Sequence, residues 1–210
     1  MAVPESAASR SFIAIDVETA NADPASICQI GLARFAHGQL SGTFQSLVNP
    51  GQPFDWRTVR IHGIGPDDVA SAPDLGALVP ELRAFTHGSV LASHTLFDRS
   101  ALQRALTRYG ASPLENAWID TAVVVRRTWP EYRMRGYGLA NIAGVLGLEF
   151  RHHDALEDAR AAGEVLSRAM VLTGTGVEDW LAPPPGQRRA RPGPVGQTSL
   201  RRQRGQPKRP

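Results

Sequence analysis

A chain of 210 residues with 42% hydrophobic and 7% aromatic content can bury one globular core and carry a short extension. Its apolar runs all stop short of the roughly 18 residues that a membrane helix needs. The formal net charge of +3 is unevenly spread: eight of the 23 basic residues and none of the 20 acidic ones fall between Pro183 and Pro210, which leaves residues 1–182 with a net charge of −5. A body this acidic suits a nucleic-acid binder only when part of its acid holds metal cations. The single cysteine, Cys28, excludes an internal disulfide and a thiolate zinc site. It sits in the apolar run Ile27 to Leu32 and reads as a core residue. Met1 to Ser11 is small and polar, without the charged start and apolar stretch of a secretory signal, so the expected location is the cytoplasm.

In chain order, residues 11–17 (SFIAIDV) alternate and are rich in Ile and Val, which predicts a strand. Ile27 to Phe35 and Leu40 to Val48 are two further strands separated by His37-Gly38-Gln39, and three strands with short connections predict an antiparallel meander. Then the period changes. Helical spacing runs from Asp74 to Phe85, a short strand from Ser89 to Ala92, and a second helix from Asp98 to Tyr109. A short strand at Trp118 to Asp120 precedes a helix that Pro130 stops; Leu139 to Leu146 and Asp154 to Leu172 are the last helices, each closed by a glycine. The predicted order β-β-β-α-β-α-β-α-α-α is that of an α/β fold, a mixed sheet flanked by helices. The expected domain spans residues 11–181, after a flexible N-terminus (1–10) and before a disordered tail (182–210) rich in Pro, Gly and Arg.

Three short segments carry candidate chemistry. Asp16 and Glu18 lie two apart on the first strand and therefore share a face. Two acids so close repel unless a cation lies between them, although in isolation a solvated strand end is the better explanation of the pair. Asp98 follows a strand at a helix start, where capping is the plainer role. Arg151 to Ala159 (RHHDALEDA) holds Asp154 and Glu157 at capping-box spacing, assigned to opening the last long helix. Asp158 then falls in the next turn and His153 just before the cap, so both can face one site; His152 remains as a spare, structural histidine. As a set, Asp16, Glu18, Asp98 and Asp158 offer hard oxygen ligands without sulfur, which suits two Mg²⁺ or Mn²⁺ ions. A histidine of ordinary pKa, about 6.5, can take a proton from water near neutral pH.

Asp16-Val17-Glu18-Thr19, then Phe97-Asp98, then His153-Asp154-Ala155-Leu156-Glu157-Asp158-Ala159 resemble, in order and spacing, the motifs of the DEDDh exonucleases, the family of the proofreading ε subunit of bacterial DNA polymerase III and of RNase T. The resemblance covers about residues 11–172, and Ile61-His62-Gly63-Ile64 is similar to that family's loop after the meander. It implies an RNase H-like fold, two divalent metal ions and 3′→5′ hydrolysis at single-stranded DNA or RNA ends. It also implies Asp16, Glu18, Asp98 and Asp158 as metal ligands and His153 as general base. Thr19, Ala20, Phe97 and His62 would bind the terminal nucleotide. Where the ε-like pattern has His-Asn before Phe-Asp, this chain has Ser93-His94. A catalytically inactive nucleic-acid-binding or polymerase-docking module of the same fold is the second reading. A two-acid glycosidase is a third, and it has no use for the remaining acids or the histidine.

The basic tail suits binding to nucleic acid through counterion release, or is a solvated end without a role. Gln197-Thr198-Ser199-Leu200 resembles the start of a sliding-clamp-binding peptide, but Arg201-Arg202 stand where an aromatic ending is expected. Deleting residues 183–210 is expected to leave a folded domain, because the stretch has no apolar face; circular dichroism and a thermal melt check this. A tail that holds substrate would show, on deletion, weaker binding with a flatter salt dependence.

Overall fold

A computed structural model describes residues 11–181. The expectations for residues 1–10 and for the basic tail, with its Gln197–Leu200 peptide, lie outside the described residues.

Five strands form one mixed sheet in the order β3-β2-β1-β4-β5. The antiparallel meander consists of β1 (Phe12–Thr19), β2 (Ile27–Ala36) and β3 (Gln39–Leu47). Two short strands, β4 (Leu91–Ser93) and β5 (Trp118–Asp120), continue it in parallel on the other side of β1. This is the RNase H-like mixed sheet expected from the sequence, with β1 at its centre. A helix precedes each parallel strand, because a parallel connection needs a crossover long enough to carry one.

The long helices are α2 (Leu75–Thr86), α3 (Phe97–Arg108) and α7 (Ala155–Thr173); α4 (Thr121–Thr128) and α6 (Leu139–Val145) are shorter. Three elements lie outside the predicted order: α1 (Trp56–His62), the single turn α5 (Tyr132–Arg135), and α8 (Val177–Leu181). None of the residues of α1 or α5 is buried, so they carry no apolar period to detect. Among the described residues no helix is long and apolar enough to cross a membrane.

The alternation of β1 divides the core in two. Ile13, Ile15 and Val17 pack with Leu75, Leu82, Leu102 and Leu106 of α2 and α3 on one face. Phe12 and Ala14 point the other way, toward Ala159, Leu166 and Met170 of α7. The residues of β1 and β2 beneath the start of α7 are small, and this lets the helix approach closely. At Gly31 of β2 an added Cβ would lie 2.3 Å from the backbone of Ala155 and Leu156. Ala155 N–H, one of the unsatisfied donors at the start of α7, donates to Gln29 Oε1 at 3.0 Å. A second close contact follows two turns later, where Gly163 faces the Phe35 ring, itself stacked on Phe12 at 5.0 Å.

This packing makes Gly31 the position least able to change. Gly31→Ala is expected to cost about 1–3 kcal/mol of stability, toward the upper end because the obstacle is backbone. Urea denaturation measures it, and Gly42→Ala on β3, where the nearest atom is 4.0 Å away, serves as the mild comparison.

Candidate metal and active site

The period of β1 that sends Ile15 and Val17 into one core sends Asp16 and Glu18 to the α7 face. The register between β1 and β2 is irregular at Glu18/Thr19, a bulge that ends the regular pairing where the acids emerge. Asp98 comes from the first turn of α3. Taken alone its place at a helix start suggests capping, but Leu96 holds the cap position without a side-chain bond. Asp98 is instead buried and accepts Val17 N–H through Oδ1 at 3.2 Å, tying α3 to the strand between the other two acids. Asp158 is buried on the first turn of α7.

Asp16, Glu18 and Asp158 each present an oxygen within 4.8 Å of the others'. Asp98 lines the same cleft of about 280 Å³, together with His94, Phe97, His152 and His153. Among the described residues, no arginine lies within ion-pair distance of any of the four acids. Their charge therefore lacks a permanent counterion, and the protonation equilibria respond. Burial, reinforced by Asp98, Asp158 and Glu18, raises Asp16 well above the usual carboxylate range. Burial with repulsion from Asp158 and Asp98 lifts Glu18 to about 7. Asp98 is raised by burial against the opposing pull of the Val17 N–H. Asp158 is raised less simply: burial pushes it up while hydrogen bonds from His152 and His153 pull it down. Three convergent oxygens with no arginine paired to them and no sulfur in their group fit a hard divalent ion.

The segment before α7 is folded tightly around Asp158. His153 adopts a left-handed backbone (φ 67°), uncommon for a residue other than glycine. This turns its N–H onto Asp158 Oδ2 at 2.7 Å. Its imidazole Nδ1 lies 3.9 Å from Glu18 Oε1. Burial and the neighbouring His152 lower the pKa of His153, so the ring is neutral at neutral pH. Sequence reasoning set His152 aside, yet its Nδ1 donates to Asp158 Oδ1 at 2.6 Å and its ring stacks on His153 at 3.9 Å. His152, His153 and Asp158 also form a second group of potential ligands. The only sequence signal for this was the doubled histidine, because the left-handed turn that brings both rings to one acid leaves no periodic trace. Asp154 caps α7 as expected, accepting from Leu156 and Glu157 N–H, but Glu157 does not complete the box as a free partner: it accepts from Arg160 at 2.7 Å.

The remaining expected contact residues are distributed around the cleft. Phe97 opens α3 with 47% of its surface exposed at the cleft. Thr19 offers its carbonyl to His62 Nε2 at 3.2 Å. His62 Nδ1 accepts Ile64 N–H, so the proton sits on Nε2 and the ring is neutral. Ala20 is fully buried beside Cys28, Ile64 and Val69, and its carbonyl accepts Asp55 N–H and Thr58 Oγ1. Its visible part is therefore to seat α1 beside the cleft. Cys28 lies in the same small core, its thiol pushed up to about 12 by burial. His94, at the position where the sequence departs from the ε-like pattern, bridges Thr121 Oγ1 and the Tyr137 carbonyl, each at 2.9 Å, and so closes one wall.

The raised carboxylates carry a stability consequence. A group whose pKa is higher folded than unfolded stabilises the fold below its unfolded value and ceases to do so as pH rises through its folded value. For Glu18 that window runs from about 4.5 to about 7. In chelator, the melting temperature is expected to fall across this window. Glu18→Gln should flatten the fall, and Mg²⁺ should restore stability at the alkaline end. A melting temperature that rises steadily from pH 4.5 to 7 in chelator would contradict this picture of the site.

The family profile described as Exonuclease (RNase T) matches residues 13–166, from β1 into α7, a span that contains all four acids and both histidines. The chain is 28% identical over 165 residues to the PolC-type DNA polymerase III of Thermotoga petrophila, covering 77% of this chain and 12% of that protein. It is 29% identical over 158 residues to the PolC-type polymerase of Streptococcus sanguinis, covering 74% and 11%. The chain thus spans a small fraction of the length of these curated relatives. Among solved structures, Exonuclease X in complex with 5′ overhanging duplex DNA aligns with a TM-score of 0.64 at 22% identity, over 81% of this chain and 97% of that one. The nuclease domain of 3′hExo, a DEDDh family member bound to rAMP, aligns at 0.67 and 18% identity over 82% and 96%. These structural likenesses establish a shared fold. With the profile covering most of the domain and every acid of the cleft, the chain belongs to the RNase T exonuclease family.

Proposed function

We propose that this protein is a metal-dependent 3′→5′ exonuclease that hydrolyses the terminal phosphodiester bond of single-stranded nucleic acid and releases nucleoside monophosphates. The observation that carries the reading is the convergence of Asp16, Glu18 and Asp158, with Asp98 in the same cleft, on a site with no fixed cation. In this reading the four acids hold two Mg²⁺ or Mn²⁺ ions. Bound ions would supply Lewis-acid polarisation of the scissile phosphate and of the attacking water. The chain's own part is to hold the acids converged, to position the 3′ end, and to move a proton. Neutral His153, whose Nδ1 lies 3.9 Å from Glu18 Oε1, accepts the proton of the attacking water. His152 keeps Asp158 oriented and favours its ionised form through their hydrogen bond. Phe97 and the neutral His62 flank the place of the terminal nucleotide, with Thr19 fixed by His62.

The likeness to a segment of PolC-type polymerases makes a DNA 3′ end the first substrate to test, with RNA beside it. A polymerase partner is part of the same proposal. The four-acid site favours this reading over the inactive docking module, which has no need to retain repelling acids.

Activity on a 5′-labelled single strand is expected to require Mg²⁺ or Mn²⁺ and to vanish in excess EDTA. A ladder shortening from the labelled strand's 3′ end would establish polarity. Turnover that survives chelation would overturn the metal assignment.

The two histidines are separable. His153→Ala should lower kcat by a factor on the order of 10²–10⁴ with the metal requirement little changed. In the parent enzyme the rate should rise with pH through the His153 pKa, below the usual imidazole value of about 6.5, and then level off. His152→Ala should instead raise the metal concentration needed for half-maximal rate. Metal titrations of both variants decide between these roles. Equal behaviour of the two variants would mean that the histidines act as one unit.

A further inference from the structure

The short helix α1 carries a feature that the cleft chemistry does not use. Trp56 is 60% exposed. Two guanidinium groups lie over its ring, Arg60 at 5.4 Å and Arg57 at 5.7 Å. Among the described residues neither arginine has a carboxylate within ion-pair distance. The body of the protein is acidic, so two unpaired cations beside an open aromatic face stand out in charge as well as in polarity.

This cluster is continuous with the cleft. Arg60 lines a groove of about 320 Å³ together with Ile61, His62, Arg151 and His153. His153 faces Glu18 at its other end. The path from the acids therefore runs past His153 and His62 to Arg60 and on to Trp56. The helix is fixed along this path: Thr58 Oγ1 donates to the Ala20 carbonyl at 2.6 Å and His62 holds Thr19.

Building on the exonuclease reading, we propose that Trp56 is a stacking post for an unpaired base upstream of the 3′ end, with Arg57 and Arg60 contacting the adjoining phosphates. The occupant is single-stranded nucleic acid long enough to run from the cleft along the groove to Trp56. An indole face takes any base, and the arginines supply a sequence-independent grip on the backbone. A duplex fits poorly, because its bases are already stacked on one another.

The test compares full-length parent, Trp56→Ala and Trp56→Phe on single strands of two and of twelve nucleotides. Trp56→Ala should leave turnover of the two-nucleotide substrate unchanged. For the longer strand it should raise KM by roughly five- to a hundredfold, the usual loss for one base–aromatic stack, with kcat little changed. Trp56→Phe should recover most of that loss. Arg57→Ala with Arg60→Ala should flatten the dependence of binding on salt. Binding of a fluorescent twelve-nucleotide strand, followed by anisotropy in Ca²⁺, repeats the comparison without turnover. If the parent binds but cleaves neither strand, the exonuclease reading fails while the stacking post is still decided by the binding comparison. If Trp56→Ala binds and turns over the longer strand as the parent does, or if the parent does not bind it at all, the post is refuted. The same holds if the loss is equal for both lengths, which would place Trp56 in the support of the cleft.

Discussion

Bringing Asp158 against Asp16 and Glu18 costs free energy, because three carboxylates that would repel weakly in water repel strongly where protein replaces solvent. That cost has to be met by packing elsewhere, and the elements that meet it can be named. The first turn of α7 lies on a glycine, its leading N–H is taken by Gln29, and its alanines sit against the small residues of the central strands. Asp98 is held by the backbone of β1 itself. Asp16, Glu18 and Asp98 are thus fixed by groups that do not change protonation state, while Asp158 also leans on His152, and the strained balance falls on the carboxylates. In the proposed reading such a site is preorganised for cations.

The architecture divides labour between the two faces of the sheet. The side covered by α2 and α3 is filled with large aliphatic residues and serves stability. The side covered by α7 mixes alanines and glycines with Phe12, Phe35, Leu166 and Met170, and its small residues at Gly31 and Gly163 allow close approach. One consequence is that the start of α7, nearest the chemistry, has less freedom to repack, since its contact with Gly31 is backbone against backbone.

Much of this was legible in the sequence, for physical reasons that differ by element. The helix α7 announced itself because one face is buried, which imposes a period, and β1 and β2, buried on both faces, because they form runs rich in Ile, Leu and Val between turn residues. Asp16 and Glu18 could be placed together because strand geometry leaves no alternative. Asp98 joined the set only through the other acids, because alone an acid at a helix start reads as a cap, and its partner, Val17 N–H, lies 81 residues away. His152 was overlooked for a related reason. Only the left-handed backbone at His153 puts both rings beside Asp158, and that conformation has no signature in residues that usually avoid it. The helix α1 escaped notice because it buries none of its residues, although its exposed Trp56 is informative once its position beside the cleft is known.

The docking of α7 on Gly31 also orders events in time. Asp16 and Asp158 lie at opposite ends of the folded domain's sequence, and the contact that joins them forms late in synthesis, since chains emerge from the N-terminus at about 5–20 residues per second. A nascent chain that already displays the meander, Glu18 and Asp98 still lacks the fourth acid and both histidines beside it. The sheet can begin to form while the polypeptide is growing, but the cleft closes only when the last long helix has left the ribosome. A prematurely terminated fragment is therefore left without a complete acid cluster, whatever nucleic acid lies nearby.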